Sequence, residues 1–244
     1  MRIHYYNVVP ERKDAIILKK YKIDSFTRVS EPIRTPITKF GGQPVWLTEP
    51  QWPLSSGWDK RPMMFIGQIE LDQQLFPTPN VQVPLMAYLF VTHAQNIEEG
   101  FFDPDIIDPD GGENAIIIQP GGELLLDTAP LVNGPTLWDN NGESYEGFPQ
   151  LQEAQDPAFL DSEDYLLLSD DEQKAYNAEV DGDKIGGVPY FFQGDGWPDD
   201  SNWGLLLQLH ANFKPFCLLV GASPTIFAFV NEDLKTGKLV IQDC

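Results

Sequence analysis

Lys39-Phe40-Gly41-Gly42-Gln43-Pro44 is echoed later in the chain by Lys184-Ile185-Gly186-Gly187-Val188-Pro189. From Gly42 it is ten residues to Trp52-Pro53, and from Gly187 it is again ten to Trp197-Pro198. Each copy then reaches an apolar run holding one glutamine, Phe65-Ile66-Gly67-Gln68-Ile69 in the first and Leu205-Leu206-Leu207-Gln208-Leu209 in the second. Sixteen residues separate Gln68 from Pro84, and sixteen separate Gln208 from Pro224. Four matched features in the same order indicate an internal duplication. The copies differ by five residues between tryptophan and glutamine, where a surface loop tolerates insertion.

The Gly-Gly-x-Pro element is a turn with a mechanism. One glycine can supply a positive φ and the other a close backbone approach, while the proline keeps the residue before it out of the helical region. Trp52 is expected to fold back onto the core beneath its Pro, Ser and Gly-rich loop. Strands are expected at 45–47, 63–71, 81–91, 115–119 and 123–127, with the last two joined as a hairpin by Pro120-Gly121-Gly122. The second copy adds strands at 188–193, 205–209, 216–219, 226–230 and 239–242. Runs such as Leu85 to Val91 are apolar on both faces, which places them at the centre of a sheet covered on each side. Ser169-Asp170-Asp171-Glu172 fits a capping box opening a short helix that Asp181-Gly182-Asp183 ends. The fold class is therefore mainly β, an internally duplicated β-rich fold with one or two short helices. Residues 1–37 read as an N-terminal extension, 38–128 as the first β repeat, 129–183 as a connecting segment with the short helix, and 184–244 as the second β repeat. The two halves are expected to pack their sheets against each other in one body.

Composition narrows the function classes. The chain has 244 residues, 42% hydrophobic, with a net charge of −21 and two cysteines. It has no run of eighteen apolar residues and no leader pattern, which points to a cytoplasmic protein away from membranes. Cys217 and Cys244 make neither a disulfide framework nor a metal motif, and Cys217 reads as a small buried hydrophobe. Residues 1–61 hold eleven Lys and Arg against six acids, +5, whereas the rest hold five against thirty-one, −26. Such a surface repels phosphate backbones, so nucleic acid is not an expected partner. It suits a basic protein partner, although a high acid count also serves solubility alone.

The glycine pairs lack the spacing of nucleotide loops, since a lysine precedes them and a proline follows. Gln68 and Gln208 sit inside apolar strands and must hydrogen-bond if they point inward. The adjacent Gly-Gly-x-Pro loop is the obvious client, and a pocket lining is the alternative. The acids between Asp103 and Glu113 do not match a calcium loop, because the fifth and sixth positions fail. His4, His93 and His210 share no ligand spacing. No catalytic, cofactor-binding or metal residues are nominated, and no cofactor is expected.

The pieces Thr38 to Pro44, Phe65 to Ile69, Ile185 to Gln193 and Leu206 to Leu209 resemble the YwqG-like family of bacterial proteins. The resemblance covers the chain from about residue 38 onward. It implies a duplicated, mainly β fold without an established enzymatic activity, and an immunity or partner-binding role. Gly41 to Trp46 carries a more distant likeness to the programmed-cell-death-2 proteins, which act as chaperones. Two departures limit the transfer: Asp183-Lys184 stands where many members place a histidine ahead of the second glycine pair, and the zinc-binding cysteines of the eukaryotic relatives are missing. The expected function is non-enzymatic protein binding, chaperone-like or immunity-like, with an acidic face for a basic partner. The alternative is a small-molecule hydrolase with a pocket between the repeats. An exposed row of aromatics between Trp46 and Trp58 would favour binding, and a deep pocket holding strongly shifted titratable groups would favour hydrolysis.

Overall fold

The computed structural model describes residues 18–243 apart from 78–83, 97, 100, 102, 200, 201 and 213. The chain runs through β1 (Leu18–Arg28), β2 (Lys39–Gly41), β3 (Trp52–Pro53), β4 (Met64–Glu70), β5 (Met86–Val91), β6 (Asn114–Gln119), β7 (Thr128–Ala129) and β8 (Glu146–Asp156). Helices α1 (Ser162–Leu166) and α2 (Asp170–Val180) follow, then β9 (Lys184–Gly186), β10 (Trp203–His210), β11 (Thr225–Asn231) and β12 (Gly237–Gln242). Ten strands close a barrel in the order β1-β8-β2-β4-β5-β6-β12-β11-β10-β9, and β3 pairs with β7 outside it. Closure leaves the main sheet without a free edge. The fold is mainly β, and α2 carries the capping box that its sequence predicts between Ser169 and Glu172.

The duplication is visible in the hydrogen-bond register. Lys39 and Phe40 of β2 pair with Gln68 and Gly67, while Lys184 and Ile185 of β9 pair with Gln208 and Leu207. Both central strands bulge at the same place, at Ile66 and at Leu206. The proline correspondence is shifted, however. Leu71 N–H donates to Leu85 O and Ala211 N–H to Pro224 O, so Pro224 occupies the place of Leu85 and not of Pro84. The β4–β5 connection is one residue longer than its counterpart, and sixteen-residue spacing aligned the wrong pair.

β1 and β8 lie in the stretches that read as extension and connection, yet they are the longest strands. Lys20 and Tyr21 pair with Gly186 and Ile185 of β9, and Glu146 and Gly147 pair with Gly41 and Phe40 of β2. Each is thus the opening strand of its own copy, hydrogen-bonded into the other copy. The two strands also pair with each other along their length.

This crossing changes how the halves meet. The expected sheet-on-sheet packing is replaced by an edge-to-edge union, and the barrel interior becomes a shared core that includes Phe40, Ile66, Ile69, Leu89, Leu206, Leu209 and Ile226. The outer faces of the central strands are covered separately. In the first copy Phe65, Met86, Tyr88 and Phe90 lie under Trp46, Leu47 and Trp52. In the second, Leu205, Phe227 and Phe229 lie under Phe191 and Trp197. That is why these strands are apolar on both faces. Trp52 is fully buried and its Nε1 donates to Met63 O at 2.8 Å.

Residues 45–47, 123–127, 188–193 and 216–219 are not strands. Residues 45–47, 188–193 and 216–219 are apolar because they cover the barrel, whereas Leu124 and Leu125 stay exposed, 44% and 53%. The expected hairpin after β6 is absent, and Glu123 N–H donates instead to Lys235 O, across to the β11–β12 turn. Val81 and Val83 lie outside the described residues.

Candidate functional site

Each Gly-Gly-x-Pro loop is held by two glutamines. Gln68 Oε1 accepts the Val45 N–H at 2.8 Å and Gln68 Nε2 donates to Ile37 O at 2.9 Å. Gln208 Oε1 accepts the Tyr190 N–H at 2.8 Å and Gln208 Nε2 donates to Gly182 O at 2.9 Å. From the last strand of each copy, Gln119 bonds Thr48 N–H and Glu49 O, and Gln242 bonds Phe192 N–H, Gln193 N–H and Gly194 O. The glutamines therefore fix loops, as their setting in apolar strands suggested. The second pair is a signal missed in the sequence, because each stands at a strand end. Both glycines of each pair have positive φ, from +64° to +78°, so either would strain any other residue.

The lysine before each glycine pair is buried and anchored. Lys39 Nζ bonds Glu146 and Gln43 O. Lys184 Nζ meets Asp156 Oδ2 at 2.8 Å, and the other carboxylate oxygen of Asp156 takes the fully buried Lys20. Lys20 sits where the first copy has Glu146, so the second copy holds two ammonium groups to one carboxylate. The excess positive charge faces the end of α2, where Lys20 donates to Glu179 O and Lys184 to Val180 O. Free carbonyls and the helix dipole make that end favourable for cations. Burial lowers the Lys184 pKa to about 8, with Asp156 acting against it. Asp156 Oδ2 also accepts the Val188 N–H at 3.0 Å. One carboxylate thereby ties α2, the barrel and the second loop together.

Between that loop and the helices opens a cleft of about 350 Å³. Its walls carry Phe159, Tyr165, Tyr176, Tyr190, Phe191 and Phe192, with Ser162 and Asp195 as polar members. Phe191 packs on Phe227 and Trp197 at ring-centroid distances of 5.1 and 5.5 Å, which fixes the floor. α2 holds the opposite wall: Asn177 Nδ2 donates to Tyr165 Oη at 2.9 Å, and Tyr176 Oη accepts the Leu160 N–H at 3.1 Å. Ser162 Oγ donates to Asp195 Oδ1 at 3.0 Å and joins α1 to the loop. Burial pushes the Tyr176 and Tyr190 phenols up, which keeps them neutral. The rim is apolar and open, with Leu166 74% exposed, Leu167 83% and Phe192 36%. Along the helices beside it, residues 161–179 hold seven carboxylates and one lysine, while Asp181 and Asp183 are taken up by His210 and Lys214.

The corresponding loop of the first copy is held closer to its sheet. Tyr88, whose counterpart is Phe227, donates its hydroxyl to Val45 O and accepts the Leu47 N–H, drawing the loop onto the sheet. Trp46, Trp52 and Trp58 do not form an exposed row. Trp52 is buried, Trp46 stacks on Tyr88 and Phe90, and Trp58 packs with Phe101 and Arg61. The acids of the 103–113 stretch are also engaged. Asp103 accepts from Trp58 Nε1, Asp110 pairs with Lys238 at 3.0 Å, and Glu113 accepts Ser55 Oγ and Gly57 N–H.

A second cavity, of about 470 Å³, lies between the copies and is lined by Phe101, Ile106, Ile107, Leu219, Val220, Asp103 and Asp243. Asp243 accepts the Ala222 and Ser223 N–H groups at 2.9 and 2.6 Å. Tyr88, pushed up to about 12 by burial, and three other strongly shifted groups line neither cavity. Burial lowers His93 to about 4, and its Nε2 accepts the Leu219 N–H at 2.8 Å. Asp181 and Asp183 raise His210 to about 9, and Lys184 lies with Asp156. Cys217 is half-buried with Sγ 3.2 Å from Asn140 Oδ1, and burial raises its pKa. His4 and Cys244 lie outside the described residues. Among the described residues no helix is long and apolar enough to cross a membrane.

A family model described as a domain of unknown function, DUF1963, matches residues 38–239 and so begins after β1. Comparison with curated proteins gives no match. With most of its length in that match, the chain belongs to the DUF1963 family, a domain of unknown function.

Proposed function

We propose that this chain is a non-enzymatic, cytoplasmic binding protein of the YwqG-like kind, and that it captures a basic protein segment at the cleft between α1, α2 and the second Gly-Gly-x-Pro loop. The observation that carries the reading is the cleft itself. It combines an exposed aromatic and aliphatic rim with a dense carboxylate surround, features that mark interaction sites on otherwise polar surfaces. The carboxylates would steer a cationic partner, and the rings would supply the contact area. The hydrolase reading gains less support. Its expected pocket between the copies has a counterpart in the 470 Å³ cavity, but both lining carboxylates are committed to protein donors. The strongly shifted His93, Lys184 and His210 stand elsewhere.

The test is affinity capture from the source cell with the native chain and with a Glu163→Gln, Asp164→Asn, Asp195→Asn variant of unchanged thermal midpoint. A basic protein retained by the first and lost by the second is the expected result. Identical catches, or hydrolysis of a small ester or amide panel that the variant retains, would overturn the proposal.

A further inference from the structure

We infer that the cleft is an arginine socket: it takes the guanidinium of a partner's arginine between its rings, with Asp195 as the counter-charge. This rests on the binding role proposed above and specifies the side chain recognised.

Phe159, Tyr165, Tyr176, Tyr190, Phe191 and Phe192 line one space, and its acidic member is the exposed carboxylate of Asp195. Ring faces attract cations, and a guanidinium is flat and weakly hydrated, so it stacks where a compact ammonium stays in water. Among the described residues no lysine or arginine lines the cleft. A neutral aromatic or aliphatic anchor would suit the rings but would leave the surrounding carboxylates unused.

The same molecule already holds one such arginine. Arg61 places its guanidinium 4.6 Å from the centre of the Trp58 ring and 5.1 Å from that of Phe101, with Glu99 at 3.3 Å from Nη1. That arrangement is an arginine laid over two rings that touch each other, their centroids 4.9 Å apart, beside one carboxylate, held within the chain. The cleft offers the same kinds of group, aromatic rings and one carboxylate, with Asp195 in the part of Glu99 and the tyrosine and phenylalanine rings in the part of Trp58 and Phe101. The volume, about 350 Å³, exceeds a single guanidinium and admits the aliphatic stem and a neighbouring residue.

The cleft is also held in place. The floor is pinned by Gln208 and Gln242, and the far wall by Tyr176 and Asn177, so the rings are placed before a ligand arrives. Less ordering on binding leaves more of the contact energy as affinity.

The experiment is fluorescence anisotropy of the full chain with a labelled peptide carrying one central arginine flanked by leucine and glycine. A second peptide replaces the arginine by citrulline, its neutral near-isostere, and a third by lysine. The arginine peptide should bind at least about tenfold more tightly than the citrulline peptide, with lysine between them. Asp195→Asn and Tyr165→Leu should each weaken the arginine peptide, Tyr165→Phe should restore it, and Glu143→Gln, outside the cleft, should leave it unchanged. Equal binding of arginine and citrulline peptides, or indifference to Tyr165→Leu, would overturn the inference. So would self-association by sedimentation that the same variants abolish, which would make a second copy of this chain the occupant. If the captured basic protein of the preceding section still depends on the carboxylates while these peptides do not discriminate, the socket falls and the binding role stands.

Discussion

Asp156 holds two buried ammonium groups, three backbone-linked elements and one wall of the cleft through a single carboxylate. Breaking a buried ion pair from one side strands the remaining charge, so Asp156→Asn should lower stability by about 3–5 kcal/mol in urea unfolding, and a further Lys184→Met should recover part of the loss. Two histidines make opposite predictions with pH. His93 has a folded pKa of about 4, below its ordinary 6.5, because burial disfavours the cation. The unfolded chain therefore takes up the proton first; the His93 contribution is full above pH 6.5 and is lost as pH falls toward 4. A shift of that size corresponds to about 3 kcal/mol. His210 is raised to about 9 by Asp181 and Asp183. Its contribution is present below pH 6.5 and is lost as pH rises through 9, and partial exposure screens it toward a small value. Unfolding midpoints measured from pH 4 to 10 should thus lose their acid-side fall in His93→Gln and part of their alkaline-side fall in His210→Gln. An unchanged profile in either variant would contradict the assigned environment.

At the scale of the element, the unit that matters is a loop clasped by glutamines from two strands. Gln68→Leu or Gln208→Leu removes the partner of a loop N–H and of a carbonyl, an expected cost of about 1–3 kcal/mol each. Amide exchange should accelerate at Val45 in the first variant and at Tyr190 in the second, and not the reverse. Much of this unit was legible in the sequence, because a glutamine in an apolar strand and a Gly-Gly-x-Pro turn both demand a specific backbone partner. The capping box of α2 was legible for the same reason. β1 and β8 were not. The β1 sequence Leu-Lys-Lys-Tyr-Lys-Ile-Asp-Ser-Phe-Thr-Arg buries only Lys20 and Ile23, and a register shift between Ile23 and Ser25 interrupts its alternation. β8 is likewise mostly polar and contains Pro149. Conversely, 188–193 and 216–219 looked like strands because burial under a covering loop leaves the same apolar signature as burial in a sheet.

At the scale of the whole molecule, the cleft was hidden from sequence reasoning because it arises from a difference between the copies. Tyr88 draws down the first loop, Phe227 cannot do so for the second, and among the described residues α1 and α2 have no counterpart beside the first. Each copy also depends on the other for the neighbour of its opening strand. Residues 1–139 and 140–244 expressed separately should therefore show little β signal by circular dichroism. Mixed, they should regain it with a single cooperative unfolding transition. A stable, folded fragment on its own would contradict this interdependence.

The exchanged strands also bear on how such a chain could arise. A lone copy would have offered its leading arm to another molecule and received one in return, a twofold dimer that falls apart on dilution. Joining the two copies end to end turns that trade into an internal one and removes its dependence on concentration. Once fused, the halves no longer had to remain alike, and one loop was free to stay closed while the other opened.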